Sequence, residues 1–310
     1  MYNFLYFTDL HADDGNNIFN RIDDFGATTL AKLEELTFKA NELNCDIYCG
    51  GDLINNPYLS HSYINKIIKI LSNFDNTFYL VPGNHDILGR NIDSVNETTI
   101  GIFEKSTSFR FKLLRIGYFE REGFYLMSNP YNEDIKVGDF SDISNFKFPV
   151  ILVDHNMIIP VDMPFEGLKT DLLSGYFRRG SLVLCGHWHS PFHKKYDNVE
   201  FVNIGSAGRL NRKLDQRNPQ YMIVTLDSGK YSYDIVNFSC AKLYNEVFRQ
   251  DDSVHIKLEE LNLNKYISEN INTSDLISIV KTVGEDKKID NDIIEELIKK
   301  IEFFQSKCKV

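Results

Sequence analysis

The chain of 310 residues contains a single tryptophan and only five cysteines, none of them spaced as a zinc ribbon or a redox pair. Cys45, Cys49, Cys185, Cys240 and Cys308 are odd in number and scattered, which excludes a disulfide framework and fits a reducing, cytoplasmic setting. No apolar run approaches the roughly 20 residues of a membrane span. The apolar start, Met1 to Phe7, lacks a basic flank and meets Asp9 and His11 at once, so it does not read as a signal peptide. Positive charge is also in deficit: 34 Lys and Arg stand against 44 Asp and Glu, a net charge of −10. Adhesion to polyanions by net charge is excluded, and any nucleic-acid contact must use a local basic patch or a metal.

Short apolar runs alternate with helical periodicity from the first residue. Phe4 to Phe7 reads as a buried strand, Leu30, Leu33, Leu36, Ala40 and Leu43 follow helical spacing, and Ile47 to Cys49 is strand-like again. Ile64, Ile67, Ile68, Leu71 and Phe74 mark a second helix and Phe78 to Val81 a third strand, the pattern of an α/β unit with parallel strands. Phe109 to Asn129 turns to aromatic-rich strands without helices between them, and Val150 to Val153 and Leu182 to Cys185 are short, fully apolar strands. Phe201 to Ile204, Tyr221 to Leu226 and Tyr231 to Val236 follow closely, the last two joined by an Asp227-Ser228-Gly229 turn, and a second sheet is expected from them. Beyond residue 240 the chain becomes charged and helical. Leu276, Ile277, Val280 and Val283 form one apolar stripe, and Ile293, Ile294, Leu297, Ile298 and Ile301 form another. The expected division is a catalytic domain at 1–240 and a helical region at 241–310 with a helix pair at 274–304.

The chemistry-bearing side chains cluster after the strands. Asp9 and His11 follow the first, Asp52 the second, Asn84 and His85 the third, His155 the Val150 strand, and His187 and His189 the Leu182 strand. Carboxyl ends of strands in an open α/β sheet form its ligand crevice, so residues far apart in sequence can converge there. Within Asp9/His11 and His187/His189, an extended backbone would point both members to one side. Gly50, Gly51, Gly83 and Gly186 stand just before these residues, where the chain must turn sharply or come close to an ion. Two carboxylates, an amide and several imidazoles suit borderline divalent metals rather than calcium or a thiolate cluster.

These blocks, Asp9-Leu10-His11, Gly51-Asp52, Gly83-Asn84-His85-Asp86, His155 and Gly186-His187-Trp188-His189, resemble in their order the calcineurin-like metallophosphoesterase superfamily. The resemblance implies an α/β fold, a four-layer α-β-β-α sandwich with a C-terminal helical appendage. It implies two divalent metal ions, manganese in the nearest branch, with Asp9, His11 and His189 on one, Asn84, His155 and His187 on the other, and Asp52 bridging. His85 would face the substrate as transition-state stabiliser and general acid, while water activated at the metals attacks phosphorus with no covalent enzyme intermediate. Gly51-Asp52-Leu53-Ile54-Asn55-Asn56 lacks the Asp and Arg found in protein Ser/Thr phosphatases of this superfamily, and the branch it most resembles is that of SbcD-type DNA repair nucleases. That branch implies DNA and an SMC-like ATPase as partners, the latter through the C-terminal helices, no membrane, and room for a homodimer. Asn55 stands where some relatives carry a carboxylate that orients the catalytic histidine. A small-nucleotide phosphodiesterase or phosphatase, and a noncatalytic scaffold, stand as alternatives.

Several other features have two readings. Gly205-Ser206-Ala207-Gly208 reads as a phosphate-binding loop or a plain turn, and Arg209, Arg212, Lys213 and Arg217 as a phosphodiester contact or solvated surface. Arg178 and Arg179 form a lesser basic pair. His61, His193 and His255 read as ordinary surface or satisfied histidines, Cys49 and Cys185 as small buried hydrophobes, and Trp188 as core packing or a base-stacking platform.

Overall fold

A computed structural model of the chain describes residues 1–15, 21–163, 166–210 and 216–248, and beyond them only the helical positions Ile277 and Ile298. The chain divides into two units, Met1–Arg249 and Gln250–Val310. The expected helix pair at 274–304, and with it His255 and Cys308, falls outside the described residues apart from those two positions.

In the first unit, β1 (Tyr2–Phe7), α1 (Phe25–Leu43), β2 (Asp46–Cys49), α2 (His61–Leu71), β3 (Thr77–Leu80), α3 (Thr99–Lys105) and β4 (Arg110–Leu113) build one half. The other half holds β5 (Gly117–Arg121), β6 (Phe124–Asn129), β7 (Val150–Asp154), β8 (Ile158–Ile159), β9 (Leu168–Lys169), α4 (Thr170–Ser174), β10 (Ser181–Cys185), β11 (Phe192–Lys195) and β12 (Val199–Asn203). A hairpin, β13 (Gln220–Asp227) and β14 (Lys230–Asn237), and a short helix α5 (Tyr244–Val247) follow. Both long helices start on a capping side chain, Asp24 accepting from Ala27 N and Ser60 accepting from Tyr63 N.

The strands form two six-stranded sheets, ordered β14-β13-β1-β2-β3-β4 and β11-β12-β10-β7-β6-β5, with β8 and β9 as a separate pair. Strands β1 to β4 are parallel in the first sheet, and β6, β7, β10 and β12 in the second. The sheets pack face to face: Phe4, Tyr6, Tyr48 and Val224 of the first meet Leu126, Ile151, Val153 and Leu184 of the second. On the outer face of the first sheet Leu5, Phe7, Ile47 and Phe78 pack against Leu33, Leu36, Ile64 and Ile67 of α1 and α2. On the outer face of the second, Leu152, Val183 and Phe201 meet Phe140, Leu173 and Phe177. The result is a mixed α/β sandwich of two sheets flanked by helices. Burial on both faces explains why these strands read as continuous apolar runs instead of alternating ones.

The first sheet takes in two further pieces, of which the hairpin is placed differently from the sequence reading. β4, the first of the aromatic-rich strands, closes the first sheet by pairing with β3. The hairpin β13–β14 also returns to the first sheet, Phe4 lying opposite Val224. Alternation alone does not say which sheet a hairpin joins. Its turn is as the sequence implies: Ser228 and Gly229 both have positive φ, 50° and 79°, which matches the twist of the paired strands. Among the described residues no helix is long and apolar enough to cross a membrane.

Leu184 is fully buried where the sheets meet, whereas Phe38 on α1 is 66% exposed. Leu184→Ala should lower unfolding stability by about 2–5 kcal/mol in urea titrations, and Phe38→Ala should stay within about 0.5 kcal/mol. Equal effects would contradict the two-sheet core.

Candidate metal centre

The parallel strands of both sheets end at one edge, and the chain leaves them through kinks. Asp9, His11, Asp52 and His187 all adopt left-handed conformations, with φ of 54°, 51°, 49° and 68°. The expected extended backbone at Asp9–His11 is therefore absent, and a kink at each residue does the aiming. Such conformations cost a non-glycine residue roughly 1–2 kcal/mol each. Main-chain bonds between the loops after β1 and β2 offset that strain: Asp9 N donates to Gly51 O (3.0 Å), His11 N to Asp52 O (2.9 Å) and Ala12 N to Leu53 O (2.9 Å). At Gly83 the requirement is space, because a Cβ there would lie on the Asp52 carboxylate and 2.6 Å from His155 Nε2.

The metal-capable groups expected from the sequence come together. Their donor atoms form three groups, Asp9–His11–His189, His11–Asp52–His85 and Asp52–His155–His187, the atoms within each lying no more than 4.8 Å apart. His11 Nε2 is 3.1 Å from His189 Nε2 and 3.7 Å from Asp52 Oδ2, and His155 Nε2 is 3.2 Å from Asp52 Oδ2. Asp52 and His11 each belong to two of the groups. Asn84 follows Gly83 at the same edge, tied to the others by no hydrogen bond of its side-chain oxygen.

The polar accounting fits bound cations. Asp9 Oδ1 and Asn84 Oδ1 are buried without hydrogen-bond partners, although such atoms are normally paired, and His155 Nε2 faces the Asp52 carboxylate. Asp9 and His155 are held at their opposite ends: Thr8 Oγ1 donates to Asp9 Oδ2 (2.6 Å), and His155 Nδ1 donates to Gly50 O. These two side chains are thus fixed on the far side from the cluster, as ligands with supporting hydrogen bonds are. Burial raises the Asp9 carboxyl, with His155 and His189 pulling the other way. Burial would raise Asp52 as well, but His155, His11 and His85 hold it far below the usual range. His155, which burial alone would lower, is carried up to about 10 by Asp52, while burial and His155 push His187 down to about 3. The cluster so compensates buried carboxylates with one proton on His155, a charge that a divalent ion would replace.

His85 is oriented by a group the sequence reading did not anticipate. Its Nδ1 donates to the main-chain oxygen of Asn55 (2.8 Å), and its backbone N–H donates to Asp52 Oδ1 (2.8 Å). The Asn55 side chain turns away and donates to Asp13 Oδ2 (2.8 Å). Two further supporting residues went unread. Asp86 accepts from Gly83 N (2.9 Å) and Ile54 N (3.1 Å), lacing the second and third loops together, and burial with Asp52 nearby pushes its carboxyl up to about 7. Lys32, wholly buried on α1, donates to Ala207 O (2.5 Å), while Ala207 N donates to Thr8 O (3.0 Å). The block Gly83-Asn84-His85-Asp86 carried a signal for Asp86, but a lysine in an amphipathic helix signals nothing.

The two-way readings resolve as follows. The N–H groups of Gly205, Ser206, Ala207 and Gly208 already donate to Asn203, His189, Thr8 and Asp9, so the loop is a brace and not a phosphate cradle. Arg209 is buried and donates to Lys242 O, Arg217 donates to Ser206 O, and Arg212 and Lys213 fall outside the described residues. Arg178 and Arg179 are exposed. His61 is exposed at the start of α2, and His193 pairs with Glu200 (2.6 Å). Cys49 and Cys185 are buried in strands, their thiols pushed up by burial, and Trp188 is half-buried near Phe192.

Residues 2–200 match the sequence model of the calcineurin-like phosphoesterases. No curated protein matches. Among solved structures the chain is similar to an archaeal phosphodiesterase (14% identity, 76% of this chain and 99% of that one, TM-score 0.40). It is similar also to a 5′-nucleotidase, so described, from Staphylococcus aureus (10%, 84% and 58%, TM-score 0.45). A third is GAP50, the anchor in the inner membrane complex of Plasmodium (9%, 76% and 84%, TM-score 0.47). Likenesses this remote say nothing of the present chain's substrate.

Manganese should raise the melting temperature of the wild-type chain and EDTA should reverse the rise. Gly83→Ala should abolish that gain; an undiminished gain would place the ion elsewhere. Burial, with Arg209 and Arg21 nearby, lowers Lys32 to about 7. Below pH 7 the lysine is charged in both folded and unfolded chains; between pH 7 and about 10.5 the folded chain sheds the proton first, so stability from this group grows as pH rises. Urea midpoints at pH 6.5 and 9 should therefore shift in favour of wild type over Lys32→Met, and a pH-independent difference would refute it.

Proposed function

The chain belongs to the calcineurin-like phosphoesterase family and is a metallophosphoesterase, and we propose that it hydrolyses phosphodiesters, DNA foremost, as the exo- or endonuclease subunit of an SbcCD-like repair or recombination complex. The observation that carries the diester reading is the placement of His85 beside the cluster. With Nδ1 committed to Asn55 O, the ring has only Nε2 left to exchange a proton. A diester releases an alkoxide-like oxygen that needs a proton, and a histidine anchored through its backbone N–H to Asp52 is a suitable donor. Asp9, His11 and His189 would hold one divalent ion and Asn84, His155 and His187 a second, with Asp52 reaching both. Bound there, the ions, manganese in this proposal, would supply Lewis-acid charge that polarises the phosphate and acidifies water.

DNA as substrate is supported by the Gly51-Asp52-Leu53 block and by the charged, helix-forming sequence of 241–310, which would carry the helix pair 274–304 to an SMC-like ATPase. A cytoplasmic location and a homodimer are part of the same reading. A small-nucleotide substrate is favoured by a different observation. Arg209 and Arg217 spend guanidinium donors on main-chain oxygens of the chain itself, which leaves less basic surface for a long polyanion.

Purified chain with manganese should cleave bis-p-nitrophenyl phosphate and duplex DNA ends, and EDTA should stop both. His85→Asn should slow DNA cleavage by roughly 10²–10⁴ and bis-p-nitrophenyl phosphate less, since nitrophenolate leaves without a proton. Equal losses on both substrates would remove the acid role from His85. Fast p-nitrophenyl phosphate or cyclic-nucleotide turnover with inert DNA would reverse the substrate order.

A further inference from the structure

The side of the sandwich where β4 and β5 form the outer strands is open. All five residues of β5 are exposed, and only β6 pairs with it among the described residues. Ile116 and Tyr118 there are 76% and 58% exposed, an apolar edge of the kind folded chains normally blunt. Beside β5 lies a cavity of about 170 Å³ walled by Phe4, Leu126, Ile151 and Val153 and also by the polar residues Tyr48, Arg115 and Ser128. Gly117 leaves space beside it, since a Cβ there would meet nothing nearer than Arg115 O at 4.0 Å. Cations gather alongside in a chain that is acidic overall. Against the one exposed acid of β5, Glu120, stand the exposed Arg110, Lys112, Arg115 and Arg121, with Arg121 4.3 Å from the Tyr2 ring and Lys112 6.0 Å from that of Tyr79.

We propose that this side is a docking site for an extended, acidic peptide of a partner protein, which adds a strand along β5 and seats one large apolar side chain in the cavity. Strand addition uses the free edge of β5 for main-chain hydrogen bonds and a pocket for side-chain selection. A cavity of this volume accommodates a benzene-sized group, so a Phe or Leu side chain is the right scale. The charge of the rim selects acidic flanking residues. A second copy of the chain would bring two cationic rims together.

The test is fluorescence anisotropy on the full chain with short labelled peptides that carry a central Phe or Leu, alternate Thr and Val, and end in Asp and Glu. Saturable binding is expected, with hydrogen-exchange protection gained at 117–121. Leu126→Trp, which fills the cavity, should abolish it, and the surface variant Lys112→Glu/Arg115→Glu, which leaves the core intact, should weaken it about tenfold. Binding of oligo-dT in place of the peptides, a dimer in sedimentation that the surface variant disrupts, or no binding by any of the peptides would overturn the proposal.

Discussion

The burial of Asp9 and Asp52 at one edge of the sandwich is the constraint from which the rest of the site follows. A lone carboxylate taken out of water is prohibitively unstable unless it is neutralised or compensated. Asp52 is compensated by His155, His11 and the backbone N–H of His85, and Asp9 by Thr8 and His189. The same arrangement leaves Asp9 Oδ1 and Asn84 Oδ1 buried with no hydrogen-bond donor. A protein without a use for cations has little reason to keep such a set; one that binds them recovers the free energy when they arrive.

The scaffold makes that burial affordable. Strands covered on both faces are rigid and short of alternatives, so their ends are fixed points from which left-handed residues can launch. The loops that carry the ligands are bonded to one another through main-chain groups and through Asp86, and are braced from behind by Ala207 and Lys32. Strain at Asp9, His11, Asp52 and His187 is thereby distributed over a lattice of bonds that no single loop could supply.

How much of this was legible follows from what each residue must satisfy locally. Strand ends at Phe7, Cys49 and Cys185 could be read because double-sided burial leaves an unbroken apolar run that stops at a Gly or Thr, while the third strand, read to Val81, ends one residue earlier at Leu80. The set of metal-capable residues could be read because each follows such a run. The kinks could not, since an Asp or His is compatible with both extended and left-handed backbone, and only the bonds between loops decide. Nor could the sheet membership of the Tyr221–Val236 hairpin, whose alternation is satisfied on either sheet, or the burial of Lys32, whose type argues for water. The helical region at 241–310 lies almost entirely outside the described residues, and its reading stays with the sequence.

The carbonyl that orients His85 belongs to the backbone, so its presence does not depend on which amino acid stands at position 55. Its position depends on the path of the loop, which Asn55 N fixes by donating to Ala12 O (3.1 Å). A side-chain carboxylate in that role would be one codon change from loss; a peptide oxygen can be displaced only by rebuilding the loop. The histidine is in this sense insulated from drift at its neighbour, whose own side chain is occupied elsewhere, on Asp13.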